Sequence, residues 1–440
     1  MKRVEALIGM LDLNNYSFVA SLQGLIKHLG LQIEWEGEQV EVRLDRMHTR
    51  PYRVQDEECP YRVIVNRNIH WNTYATSYFA SFAQRVYMLN DVASFLSMNK
   101  NTTYGHMSHL GLNIPKTWAL PIRSYQGLVD VPIQDLLYMD HDAFDLREIG
   151  RDVGYPAFLK PQSGGGWKGV VRVNNERELL DGFEASGNVP LNLQAAIDFQ
   201  EFVRVVGIGP QMLVMHFNPN AKYSHDRYLR NERQAVEFDF ISPEHYLETS
   251  RITRMINGFY KWDHNSCEML IDKQGKVHPI DFANACPDSS LVSLHFYFPT
   301  LVKYMTQWLI YCAVTRRNKG PGYAMDWQRY FEIAERSDLS YLQRIEAYNA
   351  VAHDYFNTQH FVDFCAKHLP DFDQQAQDFF SSEDFNTILE KEVKYYFTLR
   401  HEWPQKIAHY RGIHEFYLSC EREKLQQGSA PATVVSATRV

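Results

Sequence analysis

Tyr155-Pro-Ala-Phe-Leu-Lys-Pro-Gln-Ser-Gly-Gly-Gly-Trp-Lys-Gly-Val-Val-Arg-Val173 reads as an apolar strand ending in a lysine, a glycine-rich loop and a second strand. Gly164, Gly165 and Gly166 let backbone N–H groups approach an anion such as a phosphate, because glycine adopts conformations and close approaches that other residues forbid. The residues after the loop exclude two common phosphate-binding motifs. A Walker loop, G-x-x-x-x-G-K-[ST], runs into a helix, whereas Lys168 is succeeded by Gly169, Val170 and Val171, which prefer a strand. A dinucleotide loop of the G-x-G-x-x-G kind also opens a helix. A β-hairpin flap remains, with Lys160 on its incoming strand and the glycines at its tip.

On either side of the flap the sequence alternates between strand and helix signals. Downstream come a helix over 175–186 capped by Asn174 or Asn175, strands over 191–197, 201–208 and 211–217, and a helix from Pro243 to Tyr260. A hairpin of Cys267–Asp272 and Val277–Ala283 turns at Gln274-Gly275. Upstream, Tyr16–Leu29 is an amphipathic helix, Gln39–Leu44 and Tyr61–Arg67 are strands, Trp71–Val86 a helix, Tyr87–Asn90 a short strand, and Lys100–Leu110 a helix closed by Gly111. Beyond Pro321 the pattern is helical to about Lys424. This divides the chain into an α/β prefix (1–59), an open α/β domain (60–120), a mixed α+β domain around the flap (121–318), a helical region (319–425) and a disordered tail (426–440).

With 45 basic and 53 acidic residues in 440, the chain is mildly acidic, which argues against general binding of nucleic acid or anionic membrane. Cys59, Cys267, Cys286, Cys312, Cys365 and Cys420 are dispersed without a C-x-x-C, as in a reduced cytoplasmic protein. Leu291–Val314 is apolar but contains His295, Pro299 and Lys303, so a buried helix is expected rather than a membrane span.

Counting outward from Gln274-Gly275 sets Asp272 against Val277, Leu270 against Pro279 and Glu268 against Asp281. Two carboxylates directly opposite each other call for a cation between them. With Asn284 just beyond, an oxygen cage for Mg²⁺ is one solution; the other leaves one carboxylate in solvent or paired with Arg251 or Arg254. Arg204, between Val203 and Val205 in a strand, needs an anionic partner. Lys222, Arg227 and Arg230 belong to a charged loop that suits either an anion or simple solvation. His225, His264 and His278 lack spacing that marks a catalytic role, and His401-Glu-Trp-Pro is not a zinc motif because Pro404 breaks the required helix turn.

Taken in order, Met98-Asn-Lys100 with Gly111-Leu-Asn-Ile-Pro-Lys-Thr, Tyr155–Pro161 with its flap, Gln194–Glu201 and Ile280-Asp-Phe-Ala-Asn-Ala-Cys-Pro-Asp288 resemble the ATP-grasp superfamily. The likeness is to the branch holding glutathione synthetase, D-alanine–D-alanine ligase and peptide-glutamate ligases, and it covers about Tyr61 to Leu301. It implies an ATP-grasp fold preceded by the open α/β domain and succeeded by a helical extension. It implies an ADP-forming carboxylate–amine ligase working through an acyl phosphate, with ATP and two Mg²⁺ ions (Mn²⁺ as a substitute). Small-molecule or peptide acids and amines are the implied partners, and the fold is compatible with a homo-oligomer. By the same resemblance Lys100 and Lys160 hold phosphates, and the flap from Ser163 through Gly164, Gly165 and Gly166 covers them. Gln194, Ala195 and Ile197 meet adenine and Glu201 the ribose, and Lys222 of the charged loop is a further candidate contact to the nucleotide. Arg204 and Lys160 act in catalysis, and Glu268, Asp281 and Asn284 hold the metals. The pattern departs from the usual Glu-x-Asn ending: Asp281-Phe-Ala-Asn284 is one residue longer, so a bulge at Phe282 or Ala283 is expected to keep both side chains on one face. An ATP-dependent phosphotransferase and a non-catalytic ATP-binding protein are the alternatives.

Overall fold

The computed structural model describes residues 2–12, 16–51, 53, 58–67, 86–90, 99–139, 144–163, 168–228, 240–284, 286–318 and 326–426. Most of the expected 71–86 helix, Met98, the three flap glycines and the tail after 426 lie outside the described residues.

In chain order the elements are β1 (Lys2–Leu11), α1 (Tyr16–Leu29), β2 (Gln32–Trp35), β3 (Glu38–Arg46), β4 (Val63–Asn66) and β5 (Tyr87–Leu89). Next come α2 (Lys100–His109), β6 (Thr117–Leu120), α3 (Val131–Met139), α4 (Leu146–Val153), β7 (Ala157–Pro161), β8 (Val171–Val173), α5 (Glu176–Glu184) and β9 (Leu191–Ala195). After these come β10 (Phe199–Ile208), β11 (Gln211–His216), α6 (Pro243–Tyr260), β12 (His264–Asp272) and β13 (Val277–Asp281). The remaining helices are α7 (Leu291–Leu294), α8 (Phe298–Val314), α9 (Trp327–Ala334), α10 (Tyr341–Phe356), α11 (Thr358–His368), α12 (Phe372–Phe380), α13 (Glu383–Tyr396) and α14 (Trp403–Gln426). The architecture is α+β, and the chain divides into two compact units: residues 1–96, 203–266 and 285–440, and residues 97–202 and 267–284.

In the first unit the strands run in the order β2-β3-β1-β4-β5. β1 is parallel to both β3 and β4, and β5 is parallel to β4. The break expected near residue 59 is therefore absent, because a single sheet spans it. The boundary expected near residue 120 falls instead at 96/97, and the helices after 326 belong to the same unit as the first sheet. β1 carries no alternating pattern because Ala6, Ile8, Gly9, Met10 and Leu11 are all buried, as in a parallel strand covered on both faces. Where β1 and β4 end, Arg67 is buried and donates to Asp12 Oδ2 at 2.7 Å and to the Pro287 carbonyl at 2.7 Å. The Lys303 ammonium on α8 meets Asp373 of α12 at 2.6 Å and Glu421 of α14 at 2.7 Å, which ties the carboxyl-terminal helices to α8. Val203–Ile208 and Gln211–His216 form an antiparallel hairpin in this unit.

The second unit holds an antiparallel sheet in the order β6-β9-β7-β8. Strand alternation gives it two chemically different faces. Leu159, Val173, Leu191 and Leu193 join Leu179 of α5 and Ile149 of α4 in an apolar core. Lys160, Asn192 and Gln194 alternate with those leucines and share the opposite face. Asn175, not Asn174, caps α5, its side chain accepting from the Glu178 N–H at 3.0 Å.

The β12–β13 hairpin also lies in this unit from Cys267 onward. It pairs Ile271 with Val277, Leu270 with His278 and Met269 with Pro279, one residue away from the expected register. A bulge between Glu268 and Met269 on one strand, with Ile280 as the extra residue on the other, then sets Glu268 opposite Asp281 after all. The strand ends at Asp281, so Phe282 and Ala283, the expected place of a bulge, lie beyond the ladder, and the irregularity in the hairpin is at Ile280.

Candidate functional site

The polar face of the β6-β9-β7-β8 sheet, the start of α2 and the β12–β13 hairpin converge within the second unit. Lys100 opens α2, which is capped by Asn99 accepting from the Thr102 N–H at 3.0 Å. Its backbone N–H donates to the Gln162 carbonyl at the foot of the flap, at 3.4 Å. One turn on, Tyr104 donates its hydroxyl to the Ile280 carbonyl, and its ring stands edge-on to Phe282 at 5.5 Å. Asn113 adds a bond to the Val277 carbonyl at 3.1 Å. These contacts fix the hairpin against the lysine-bearing helix.

Two ammonium groups and two carboxylates occupy this corner. Lys100 Nζ lies 2.8 Å from Asp281 Oδ2. Lys160 is 9 % exposed and donates to Gln194 Oε1 at 2.6 Å and to the Ile280 carbonyl at 3.5 Å. An ammonium can only donate, so the Gln194 amide turns its oxygen to Lys160 and its Nε2 to Thr117 Oγ1, at 2.9 Å. The Thr117 hydroxyl in turn donates to the Pro115 carbonyl at 2.7 Å, which leaves its oxygen free to accept. The Gln194 side chain, in the segment that the resemblance assigns to adenine, is thus the partner of Lys160.

Burial pushes the Lys160 ammonium down to about 8; Asp281 and Glu268 oppose that shift and Lys100 adds to it. Burial acts on Lys100 in the same direction, but Asp281, in contact with it, and Glu268 outweigh the desolvation and hold its pKa above the ordinary value. Burial, with Asp281 and Glu268 nearby, raises the Tyr104 hydroxyl well above its usual range, so it stays a neutral donor. The site thus contains one strongly held cation and one that sits close to neutrality.

The hairpin carboxylates are not paired with the two arginines weighed from the sequence. Arg251 meets Glu346, and Arg254 meets Asn349 Oδ1 at 2.8 Å, both in the first unit. Among the described residues no group of three or more His, Cys, Asp or Glu side chains is placed to hold a metal. Two opposed carboxylates are nevertheless hard oxygen donors of the kind that bind Mg²⁺ together with substrate phosphates and water, so Glu268 and Asp281 fit that ion as a partial shell. Asn284 comes three residues later, half-buried and outside the strand.

The other expected residues are spread over both units. Ser163 is exposed at the start of the flap. Ala195 ends β9 with its N–H on the Lys116 carbonyl at 2.9 Å, and Ile197 is half-buried in the connection to β10. Glu201 is half-buried on β10, in the second unit. Arg204 and Lys222 belong to the first unit. Arg204 is buried, donates to the Tyr228 hydroxyl at 2.9 Å and the Ser266 hydroxyl at 3.2 Å, and lies over the Phe217 ring at 5.7 Å. Lys222 is exposed, over the Tyr223 ring at 5.1 Å. His278 is a structural histidine, bonded to Asp272 and to the Asn113 carbonyl. Sequence reasoning missed Tyr104, although its i,i+4 spacing from Lys100 on one helix face was a usable signal.

The structure is similar to ATP-grasp proteins. D-alanine–D-alanine ligase from Bacillus anthracis, solved with ATP, superposes with a TM-score of 0.45 at 13% identity, covering 71% of this chain and 98% of that one. A RimK-domain ATP-grasp protein from Sphaerobacter thermophilus gives 0.45 at 12% identity over 69% of this chain and 100% of its own. The macrocyclase MdnB from Microcystis aeruginosa gives 0.46 at 14% identity over 70% and 99%. No family model and no curated protein matches the sequence. Among the described residues no helix is long and apolar enough to cross a membrane.

Proposed function

We propose that the chain is an ADP-forming ligase that activates a carboxylate with ATP as an acyl phosphate and passes the acyl group to an amine. The observation that carries this reading is that buried Lys100 contacts Asp281 of the opposed Glu268/Asp281 pair while buried Lys160 lies within the field of both carboxylates. Cations beside a carboxylate pair suit a polyphosphate that brings its own divalent ion; cations alone would suit any anion. Lys160 and Lys100 bind phosphate oxygens, and the flap from Ser163 through Gly164, Gly165 and Gly166 covers them. Glu268 and Asp281, with Asn284, would hold Mg²⁺, which when bound offsets the charge developing on the transferred phosphoryl group. Because Lys160 and Thr117 engage the Gln194 side-chain amide, adenine is read through the backbone of the hinge Gln194, Ala195 and Ile197. Glu201 takes the ribose.

In the chemical step a carboxylate oxygen attacks the γ-phosphorus, the bond to the β-phosphate oxygen breaks and ADP leaves. The amine then displaces inorganic phosphate from the acyl phosphate to give the amide. Lys160, nearly stripped of water, stabilises the transferred oxygens more strongly than a solvated lysine could. Flap closure keeps water from the acyl phosphate until the amine attacks. The test is phosphate release across a panel of acids and amines. Release that needs both an acid and an amine, and is lost in Lys160→Ala and Asp281→Ala, supports the reading. ADP formed without free phosphate indicates phosphotransfer to a hydroxyl, and ATP bound without ADP formation indicates a non-catalytic protein.

A further inference from the structure

Glu268 and Asp281 face each other across the hairpin, and like charges so placed repel unless a cation lies between them. A side-chain cation lies against one of them: Lys100 Nζ sits 2.8 Å from Asp281 Oδ2, with its own side chain only 10 % exposed. Glu268 is close enough to contribute to holding the same ammonium. The contact is anchored at both ends. Lys100 is fixed at the capped start of α2, and one turn later Tyr104 ties that helix to the carbonyl of Ile280, the residue before Asp281. Lys160 is directed elsewhere, to Gln194, and does not compete for Asp281 Oδ2.

We infer that Lys100 is a placeholder for the divalent ion: its ammonium holds Asp281 of the carboxylate pair and must leave it before a metal can bind there. The inference rests on the ATP-site reading above and adds an order to it. A free divalent ion must displace a buried, helix-anchored ammonium whose anions are the very carboxylates the ion would take. A metal arriving with a nucleotide brings phosphates to which Lys100 can move, so the carboxylates are released without leaving the ammonium buried and unpaired. Lys100 thereby acts as a positioning residue that couples metal binding to nucleotide binding, and the pair discriminates against free Mg²⁺.

The probe is Mn²⁺ alone, its binding measured by electron paramagnetic resonance and by the shift in unfolding temperature of the full chain. Wild type is expected to bind Mn²⁺ weakly. Lys100→Met, which keeps the stem and removes the charge, should bind it at least about tenfold more tightly and should regain on Mn²⁺ addition the stability it loses without metal. Lys100→Arg should behave as wild type. Equal Mn²⁺ affinity in wild type and Lys100→Met, with ATP·Mg²⁺ binding intact in wild type, overturns the placeholder role alone. Failure of wild type to bind ATP·Mg²⁺, with no Mn²⁺ bound by any form, overturns both it and the ATP-site reading. If Lys100→Met does not fold, reductive methylation of wild type decides the matter. Lys100 should label faster at saturating Mn²⁺ than without metal, and an unchanged rate refutes the exchange.

Discussion

Lys160→Met separates stability from function in a way the geometry makes quantitative. The folded protein holds the Lys160 ammonium at about 8 instead of 10.5, chiefly through burial, which at 1.36 kcal/mol per pH unit means the charged form costs about 3 kcal/mol. Methionine removes that cost but leaves Gln194 Oε1 without its donor at 2.6 Å, a loss of about 1–3 kcal/mol for a buried acceptor. The two effects nearly cancel, so urea unfolding at pH 7 should shift by no more than about 2 kcal/mol, in the stabilising direction. ATP affinity, which depends on the ammonium, should collapse. The pH dependence has a definite sign. Between about 8 and 10.5 the unfolded chain keeps the Lys160 proton and the folded chain releases it, so this group's contribution makes wild type more stable as pH rises. The contribution should vanish in Lys160→Met. ATP binding to the protonated form should weaken as pH climbs through 8. A variant destabilised by more than about 3 kcal/mol, with the wild-type pH trend retained, would refute the argument and make Lys160 a structural cation.

Asp281→Asn removes the like charge opposite Glu268 while freeing Lys100, so unfolding should move by less than about 1 kcal/mol; phosphate release should fall by about 100-fold or more, measured with a coupled phosphate assay. Lys303→Met leaves Asp373 and Glu421 facing each other without a cation and should cost about 3 kcal/mol, with faster protease cleavage after residue 326 as its signature; an unchanged urea midpoint would count against the ion triad. Arg67→Met removes the guanidinium 2.7 Å from the almost fully buried Asp12 and should destabilise the first unit by about 3–5 kcal/mol in the same assay.

Where a pattern depends only on local periodicity, the sequence was sufficient. Helices Tyr16–Leu29 and Pro243–Tyr260 have the ends expected from their apolar spacing and, for the second, from Pro243 at its start. Where it depends on a partner from elsewhere in the chain, the sequence was mute. β1 showed no alternation because neighbours on both faces bury it, and the separation expected at residue 59 dissolved once β1 proved to lie between β3 and β4. At the site, Glu268 and Asp281 could be singled out as a pair that needs a cation, and Lys100 and Lys160, by resemblance, as phosphate-holding lysines. That Lys100 goes to Asp281 and Lys160 to Gln194 depends on the packing of a helix, a sheet and a hairpin, which no spacing encodes.

The hairpin shows how two such effects can cancel. Asp272 Oδ1 accepts from the N–H groups of both Gln274 and Lys276, at 2.9 Å each, and Gly275 takes φ +79. The turn therefore closes around one residue fewer on the β13 side than the sequence count supposed, which moves Val277 opposite Ile271. Continued without interruption, that register would set Ile280 opposite Glu268 and turn Asp281 to the other face. Pro279 lacks the N–H a regular ladder would use, and the chain bulges at the next residue, which brings Asp281 back opposite Glu268. The bulge also takes the Ile280 carbonyl out of the ladder, and Tyr104 and Lys160 are the groups that use it. The bulge just before Asp281 therefore does two things: it sets the carboxylates face to face and gives the lysine-bearing helix its anchor.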